Sequence, residues 1–183
     1  MQYDLVLMSL VIFVPALAAL PLCLRWIFPR GSEEWMRWWT LLATAVTLML
    51  SLFLFIEYYR MADEQDQGGR PGHSREVLLD ARVAQEISAE HNFDPPHNAD
   101  WVARVPWIPQ FNINYYIGID GISLPLILLT TVIGFLAMLA SWNIDQHVRG
   151  YCILFLILET GMIGTFLALD FFLFFVFWEV MLL

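Results

Sequence analysis

Four long apolar runs constrain this chain more than any other feature of its sequence. Each approaches the length of about 20 residues that an α-helix needs to cross the hydrocarbon core of a bilayer. The runs are Leu5–Leu24, Trp38–Tyr58, Ile122–Trp142 and Tyr151–Leu169. The sequence therefore predicts an all-α fold, a polytopic bundle of transmembrane helices.

A fifth apolar run opens at Phe171 and holds only thirteen residues up to Leu183. A helix that ended there would leave its last carbonyl groups without partners in lipid. We therefore expect the N-terminal piece of a longer polytopic protein, with four complete spans and a truncated fifth. No basic segment precedes the first run, so no signal peptide is expected.

Charge and cysteine content exclude several classes of function. The net charge is −9, so nucleic acid is not an expected partner. All nine basic residues are arginine, so no lysine proton relay or Schiff base is expected within this segment. Cys23 and Cys152 lie in or beside apolar runs, where isolated cysteines behave as small apolar side chains. No glycine-rich phosphate loop, cysteine cluster or pair of transmembrane histidines predicts a bound cofactor.

Arginines in the short connections predict the orientation. Arg25, Arg30 and Arg37 lie in the first connection and Arg149 in the third. By the positive-inside rule both connections face the cytoplasm, so the N-terminus and the long second connection face outward. The predicted organisation is transmembrane helices 1 and 2 in residues 1–62, an acidic extracytoplasmic loop in 63–119, and helices 3, 4 and the start of 5 in 120–183.

The segment Asp63–Asp100 is interpreted as a solvated insertion because it carries nine acidic residues against three arginines. Within it, Arg75–His91 is a candidate helix with weak apolar content. His91, Asp94 and His97 lack metal-ligand spacing, so no metal site is expected.

Two tryptophans follow this insertion. Trp101 and Trp107 stand shortly before the third span. Tryptophan is enriched at membrane interfaces, so both are interpreted as interfacial anchors. An aromatic ligand-binding platform is the alternative.

The residue with the strongest functional signal is Glu179, a lone carboxylate in an aromatic run. It follows Asp170, the expected turn, by nine residues, which is about 13 Å at helical rise. This depth is near the midplane of a hydrocarbon core about 30 Å thick. Carboxylates there are costly and usually serve ion or proton movement. The alternative is a neutral glutamate that fixes helix packing.

Glu159 is the second candidate proton site, about 16 Å from the same turn by helical rise. Gly161, Thr165 and Ala168 form a small-residue stripe suited to close helix packing. Helical rotation points Glu159 away from that stripe. The two glutamates should lie at similar depth, whereas the sequence leaves open whether they face each other.

Five further polar residues have interpretations other than a proton-binding site. Glu57 lies at the end of a span beside Arg60, which favours a solvated or arginine-paired role. Asp120 or Ser123 can cap the third span. His147 and Arg149 are interpreted as ordinary loop polarity, with a proton access route as the alternative.

Several motifs resemble subunit M (chain 4) of bacterial NADH-quinone oxidoreductase, respiratory complex I. They are Trp107-Ile-Pro-Gln-Phe111, Gly118-Ile-Asp-Gly-Ile-Ser-Leu124, Glu159-Thr-Gly-Met-Ile-Gly164 and Leu167-Ala-Leu-Asp-Phe-Phe-Leu-Phe-Phe-Val-Phe-Trp-Glu-Val-Met-Leu-Leu183. The resemblance is strong over Trp107–Leu183 and rests mainly on pattern over the first two spans.

The resemblance implies a proton-translocating membrane-arm subunit in the inner (plasma) membrane, within a hetero-oligomer. In that family the glutamate at the position of Glu179 belongs to the proton channel and pairs with a lysine on a later span, which is absent from this segment. NAD, FMN, iron–sulfur clusters and quinone are implied only for partner subunits. Related sodium/proton antiporters, membrane-bound hydrogenases and a non-transporting scaffold piece are the alternatives.

Overall fold

Five helices form the membrane part of the computed structural model, which describes residues 3–24, 33–68, 75–78, 101–111 and 113–182. The first four are long and apolar enough to cross a membrane, and the fifth is shorter. The four predicted spans are therefore confirmed as helices. Their bounds are α1 Tyr3–Cys23, α2 Glu33–Gly68, α3 Ser123–Ala140, α4 Val148–Leu167 and α5 Phe171–Met181.

Helix α2 is longer than a bilayer requires. Its 36 residues correspond to about 54 Å at helical rise, whereas its apolar part ends at Arg60. The polar end of α2 therefore projects beyond the hydrocarbon core. It continues past the predicted start of the insertion at Asp63 and ends at Gly68, inside the glycine-rich stretch.

A three-stranded sheet, which the sequence analysis did not predict, follows α2. Its strands are β1 Arg75–Leu78, β2 Trp101–Ile108 and β3 Ile113–Ile119, and a 3-10 turn at Pro109–Phe111 follows β2. β1 pairs in parallel with β2, and β2 pairs antiparallel with β3. The candidate helix Arg75–His91 is therefore wrong at its first four residues, and the rest of it lies outside the described residues.

The sheet packs against one end of the helix bundle. The amide of Leu169, between α4 and α5, donates to the carbonyl of Tyr116 in β3 at 2.9 Å. Ile117 forms an isolated bridge with Ala168, and the hydroxyls of Ser9 in α1 and Tyr115 are 3.1 Å apart. These contacts hold β3 against the turn between α4 and α5.

At the opposite end of the bundle, Arg37 near the start of α2 reaches the connection before α4. Its guanidinium donates to the carbonyl of Ile144 at 2.7 Å and to the carboxylate of Asp145 at 2.9 Å. Trp38 and Trp142 pack edge to face nearby, with ring centroids 5.1 Å apart. Arg37 lies near the start of α2, and Asp145 lies just before the start of α4. The two helices therefore begin at the same end of the bundle and run parallel.

Among the described residues, two apolar clusters fill the bundle, one at each end. The cluster on the sheet side includes buried residues of α1, α2, α3, α4, α5 and the strands, such as Met8, Leu54, Ile117, Ile127, Ile163 and Phe177. The cluster on the Arg37 side includes Leu22, Met36, Ala43, Met138, Cys152 and Leu156. Buried polar side chains lie between and alongside these clusters: Thr44, Thr47, Ser51, Thr131, Glu159 and Thr160.

Candidate functional site

Asp170 sets the turn that places both candidate glutamates. It has extended backbone geometry, and its carboxylate accepts from the amides of Phe172 at 2.9 Å and Leu173 at 3.2 Å. An aspartate in this position satisfies amides that a helix start otherwise leaves unpaired. Asp170 therefore ends the preceding segment and begins α5, as the sequence predicted.

Two glycines let α4 and α5 approach closely. A Cβ at Gly161 would lie 3.0 Å from the backbone nitrogen of Met181 and 3.2 Å from the carbonyl oxygen of Phe177. A Cβ at Gly164 would overlap the Phe177 ring. The contact at Gly161 belongs to the predicted stripe, whereas Gly164 was not part of it. Small residues commonly allow such backbone approach in membranes.

Glu179 lies on the exposed side of α5. Phe177 and Met181 on either side of it face α4, and a residue two positions away on a helix is rotated by about 200°. Its outward neighbours are exposed apolar side chains, including Phe172 at 44% and Phe175 at 49%. Within the part of the chain that the structure describes, no hydrogen bond or ion pair joins its carboxylate to another side chain.

Glu159 has the opposite environment. Its side chain is buried, with 1% of the residue exposed, and neither carboxylate oxygen has a hydrogen-bond partner among the described residues. One of these oxygens lies 3.3 Å from the position that a Cβ on Gly134 of α3 would occupy. Glu159 therefore faces α3 and points away from the α4–α5 contact, as its rotation predicted.

The two glutamates lie at similar depth without facing each other. Gly161 is level with the stretch from Phe177 to Met181, and Glu159 precedes Gly161 by two residues, about 3 Å along the axis. Glu159 is directed inward to α3, whereas Glu179 is directed outward from α5. The described helices therefore present two separate carboxylates rather than one paired site.

Asp120 and Ser123 begin α3 together. The Asp120 carboxylate accepts from the amides of Ile122 and Ser123, and the Ser123 hydroxyl accepts from the amide of Asp120 at 3.0 Å. The amide of Ser123 contributes most to holding the pKa of Asp120 below its ordinary value. The predicted capping role is confirmed.

The remaining residues that the sequence singled out have surroundings of their own. Glu57 is 3.7 Å from Arg60. His147 is exposed in the left-handed conformation, with φ of 52°, just before α4. Trp107 is 49% exposed and packs edge-on against Phe172 with ring centroids 6.1 Å apart, while the side chain of Trp101 is not among those described.

Sequence reasoning missed a row of hydroxyls on α2. Its members Thr40, Thr44, Thr47 and Ser51 are all buried. Their spacing of four, three and four residues places them on one helix face, so the pattern could have been found from the sequence. The row faces the interior of the bundle.

No group of three metal-binding side chains occurs among the described residues. His91, Asp94 and His97 lie outside that part of the chain.

The comparisons with known proteins identify the family. Residues 101–178 match the family model of the NADH-ubiquinone oxidoreductase chain 4 amino terminus. These residues belong to that family. The resemblance to subunit M that the sequence motifs predicted is thereby confirmed.

Curated relatives extend the similarity over most of the chain. NADH-quinone oxidoreductase subunit M of Escherichia coli is 36% identical over 160 residues, which are 87% of this chain and 26% of that protein. NAD(P)H-quinone oxidoreductase chain 4 of Synechococcus elongatus is 29% identical over 170 residues, 93% of this chain and 25% of that protein. The chain thus spans about a quarter of the length of these relatives and is an integral membrane protein similar to their N-terminal part.

Proposed function

We propose that this chain forms the N-terminal part of a proton-translocating membrane-arm subunit of an NADH-quinone oxidoreductase. The observation that carries the proposal is the position of Glu179. It is a carboxylate on an exposed aromatic face of α5, directly after the family match and at mid-depth by helical rise. Carboxylates at such depth typically belong to ion or proton pathways.

The chemistry assigned to Glu179 is reversible protonation. Loss of hydration favours the neutral form of a carboxyl group, and a nearby cation favours the charged form. A basic side chain arriving on the outward face of α5 would therefore switch Glu179 between the two forms. Glu159 serves as a second proton site, and removing it should have the smaller effect.

The proposal includes the assembly and the orientation. The redox groups, namely NAD, FMN, iron–sulfur clusters and quinone, are assigned to other subunits of a hetero-oligomer, and this chain contributes proton movement. The Arg37–Asp145 end is assigned to the cytoplasmic side, and the N-terminus and the sheet to the outer side. The arginines of the short connections support this orientation.

The test is Glu179→Gln in the full-length subunit within its assembled complex. Inverted membrane vesicles report NADH oxidation and proton pumping separately. We expect pumping to be largely lost while NADH oxidation by the peripheral redox groups persists. Glu57→Gln removes a carboxylate that lies beside Arg60 where the apolar part of α2 ends and should pump normally.

Pumping at the wild-type level in Glu179→Gln would overturn the proton-channel assignment. Pumping that follows sodium rather than protons would instead favour a related sodium/proton antiporter. An equal loss in Glu159→Gln and Glu179→Gln would contradict the ranking of the two sites.

A further inference from the structure

We propose that the hydroxyl row of α2 forms a second proton route, which leads from the Arg37–Asp145 end of the bundle to Glu159. The route is separate from Glu179 and from the outward face of α5. Two independent observations carry it: the row of buried hydroxyls and a buried carboxylate that has no partner among the described residues.

The row begins beside the Arg37–Asp145 pair. Thr40 lies three residues after Arg37 on α2. Cys152 of α4 is buried in the same apolar cluster as Met36 and Ala43 of α2, which lie on either side of Thr40 along the helix. Thr40 and Cys152 are therefore at the same level of the two parallel helices.

Helical rise then carries both helices to the same depth at Glu159. Thr47 is seven residues after Thr40, and Glu159 is seven residues after Cys152. Each step is about 10 Å along its axis. Thr47 of α2 and Glu159 of α4 are therefore level, with Thr44 one turn closer to the Arg37 end.

Helix α3 lies beside both Glu159 of α4 and the hydroxyl row of α2. The Glu159 carboxylate lies beside Gly134. One turn along α3, Thr131 bonds through its hydroxyl to Ser51 of α2 at 2.7 Å. Ser51 lies beyond Thr47 as seen from the Arg37 end, so the row reaches past the level of Glu159.

Hydroxyl groups suit such a route because each is both a donor and an acceptor. Thr40 donates to the carbonyl of Met36, Thr44 to that of Leu41 and Thr47 to that of Ala43, at 2.9 to 3.0 Å. Each hydroxyl oxygen keeps acceptor lone pairs that can take a further hydrogen bond. These bonds satisfy the hydroxyl donors. The Glu159 carboxylate has no hydrogen-bond partner among the described residues. A water molecule with two to four polar partners would supply one.

The proton step is balanced without any further reactant. An excess proton enters the row from the aqueous side as a hydronium ion. The hydronium O–H bond breaks as a Glu159 carboxylate oxygen forms an O–H bond, a neutral water remains, and the reverse step returns the proton. The exposed carboxylate of Asp145 lies at the outer end of the row, and Arg37 is largely buried beside it. The mouth therefore carries a charge pair, and the interior carries neutral hydroxyls.

The test uses the full-length subunit in its complex and replaces hydroxyls by isosteric methyl groups. Thr44→Val/Thr47→Val removes two hydroxyls and should slow the initial rate of proton pumping at least about fivefold, the size expected for one hydrogen bond lost from the transfer step. Thr47→Ser keeps a hydroxyl at this position and should pump at the wild-type rate. Thr130→Val is the matched control, because Thr130 is half-buried on α3 and its hydroxyl donates to the carbonyl of Leu126 in its own helix.

Two further comparisons separate a route from a packing role. In the Glu159→Gln background, Thr44→Val/Thr47→Val should cause no additional loss, because the route then ends at a group that takes up no proton. Ser51→Ala should affect pumping less than Thr47→Val, because Ser51 lies beyond the level of Glu159.

The inference rests on the proposed function, and the outcomes distinguish the two. Normal pumping in Glu179→Gln would overturn the proposed function. If Glu179→Gln fails to pump while Thr44→Val/Thr47→Val pumps at the wild-type rate, only the hydroxyl route is overturned. Equal losses of pumping rate in Thr47→Ser and Thr47→Val would also overturn the hydroxyl route. So would a further loss when Thr44→Val/Thr47→Val is added to Glu159→Gln.

Discussion

Gly161 and Met181 meet at the point where the two candidate glutamates reach the same depth. The Cβ position of Gly161 lies 3.0 Å from the backbone nitrogen of Met181, so α4 and α5 touch almost backbone to backbone there. This contact turns Glu179 outward from α5, because Met181 faces inward. It also leaves Glu159 free to face α3, so one helix pair presents carboxylates in two directions.

Gly164→Ala should weaken the packing of α5 because its new Cβ would overlap the Phe177 ring. Overpacking of this kind costs about 1–3 kcal/mol. We expect a lower melting temperature of the solubilised full-length subunit. Gly150→Ala adds the same methyl group where nothing lies within 4 Å and should leave the melting temperature unchanged.

Phe177→Leu should restore part of the loss when combined with Gly164→Ala, because the smaller side chain makes room for the methyl group. Equal melting temperatures for Gly164→Ala and Gly150→Ala would show that the ring moves aside without cost.

Gly134→Ala should act on Glu159 directly. The new Cβ would lie 3.3 Å from a carboxylate oxygen, which is tighter than ordinary contact, so the carboxylate must shift. We expect slower proton pumping with nearly unchanged assembly of the complex, and no further change when Glu159→Gln is added. Additive effects of the two substitutions would place the influence of Gly134 elsewhere.

Hydrophobic length predicted the helices from the sequence because lipid leaves few alternatives to a helix for an apolar run of this size. The turn at Asp170 could also be predicted, since a single polar residue separates two apolar runs. The direction of Glu159 followed from helical rotation relative to Gly161.

The sheet was harder to predict for a physical reason. Strand β1 ends at Leu78 and pairs with β2, which begins only at Trp101, and such pairing depends on contacts that short-range patterns do not encode. The acidic composition of the segment suggested a solvated loop instead. Gly164 was missed because its importance comes from the position of Phe177 on another helix.

The Asp120 cap should make stability depend on pH. Because the amides of Ser123 and Ile122 hold the pKa of Asp120 below its ordinary value of 3.8, the folded state binds its proton less readily than the unfolded state. The stabilisation is therefore present above that ordinary value and is lost as the pH falls through the lower folded pKa.

Thermal unfolding of the solubilised full-length subunit across this acidic range checks the expectation. Asp120→Asn retains a side chain that caps well and should show a weaker loss of stability in acid than the wild type. Asp120→Ala should lose about 1 kcal/mol at neutral pH. Identical acid profiles for Asp120→Asn and the wild type would assign the acid sensitivity to other carboxylates.

Arg37→Ala should destabilise the bundle more than Asp145→Asn, although the two residues form one ion pair. Asp145 is 84% exposed on its side chain, whereas Arg37 is only 12% exposed and also donates to the carbonyl of Ile144. Exposed ion pairs contribute about 0–1 kcal/mol, so Asp145→Asn should fall in that range. Removing Arg37 also frees a carbonyl and leaves a gap beside Trp38 and Trp142. Chemical denaturation of the solubilised full-length subunit should rank the variants in this order, and the reverse order would show that the charge of Asp145, not the burial of Arg37, holds this end together.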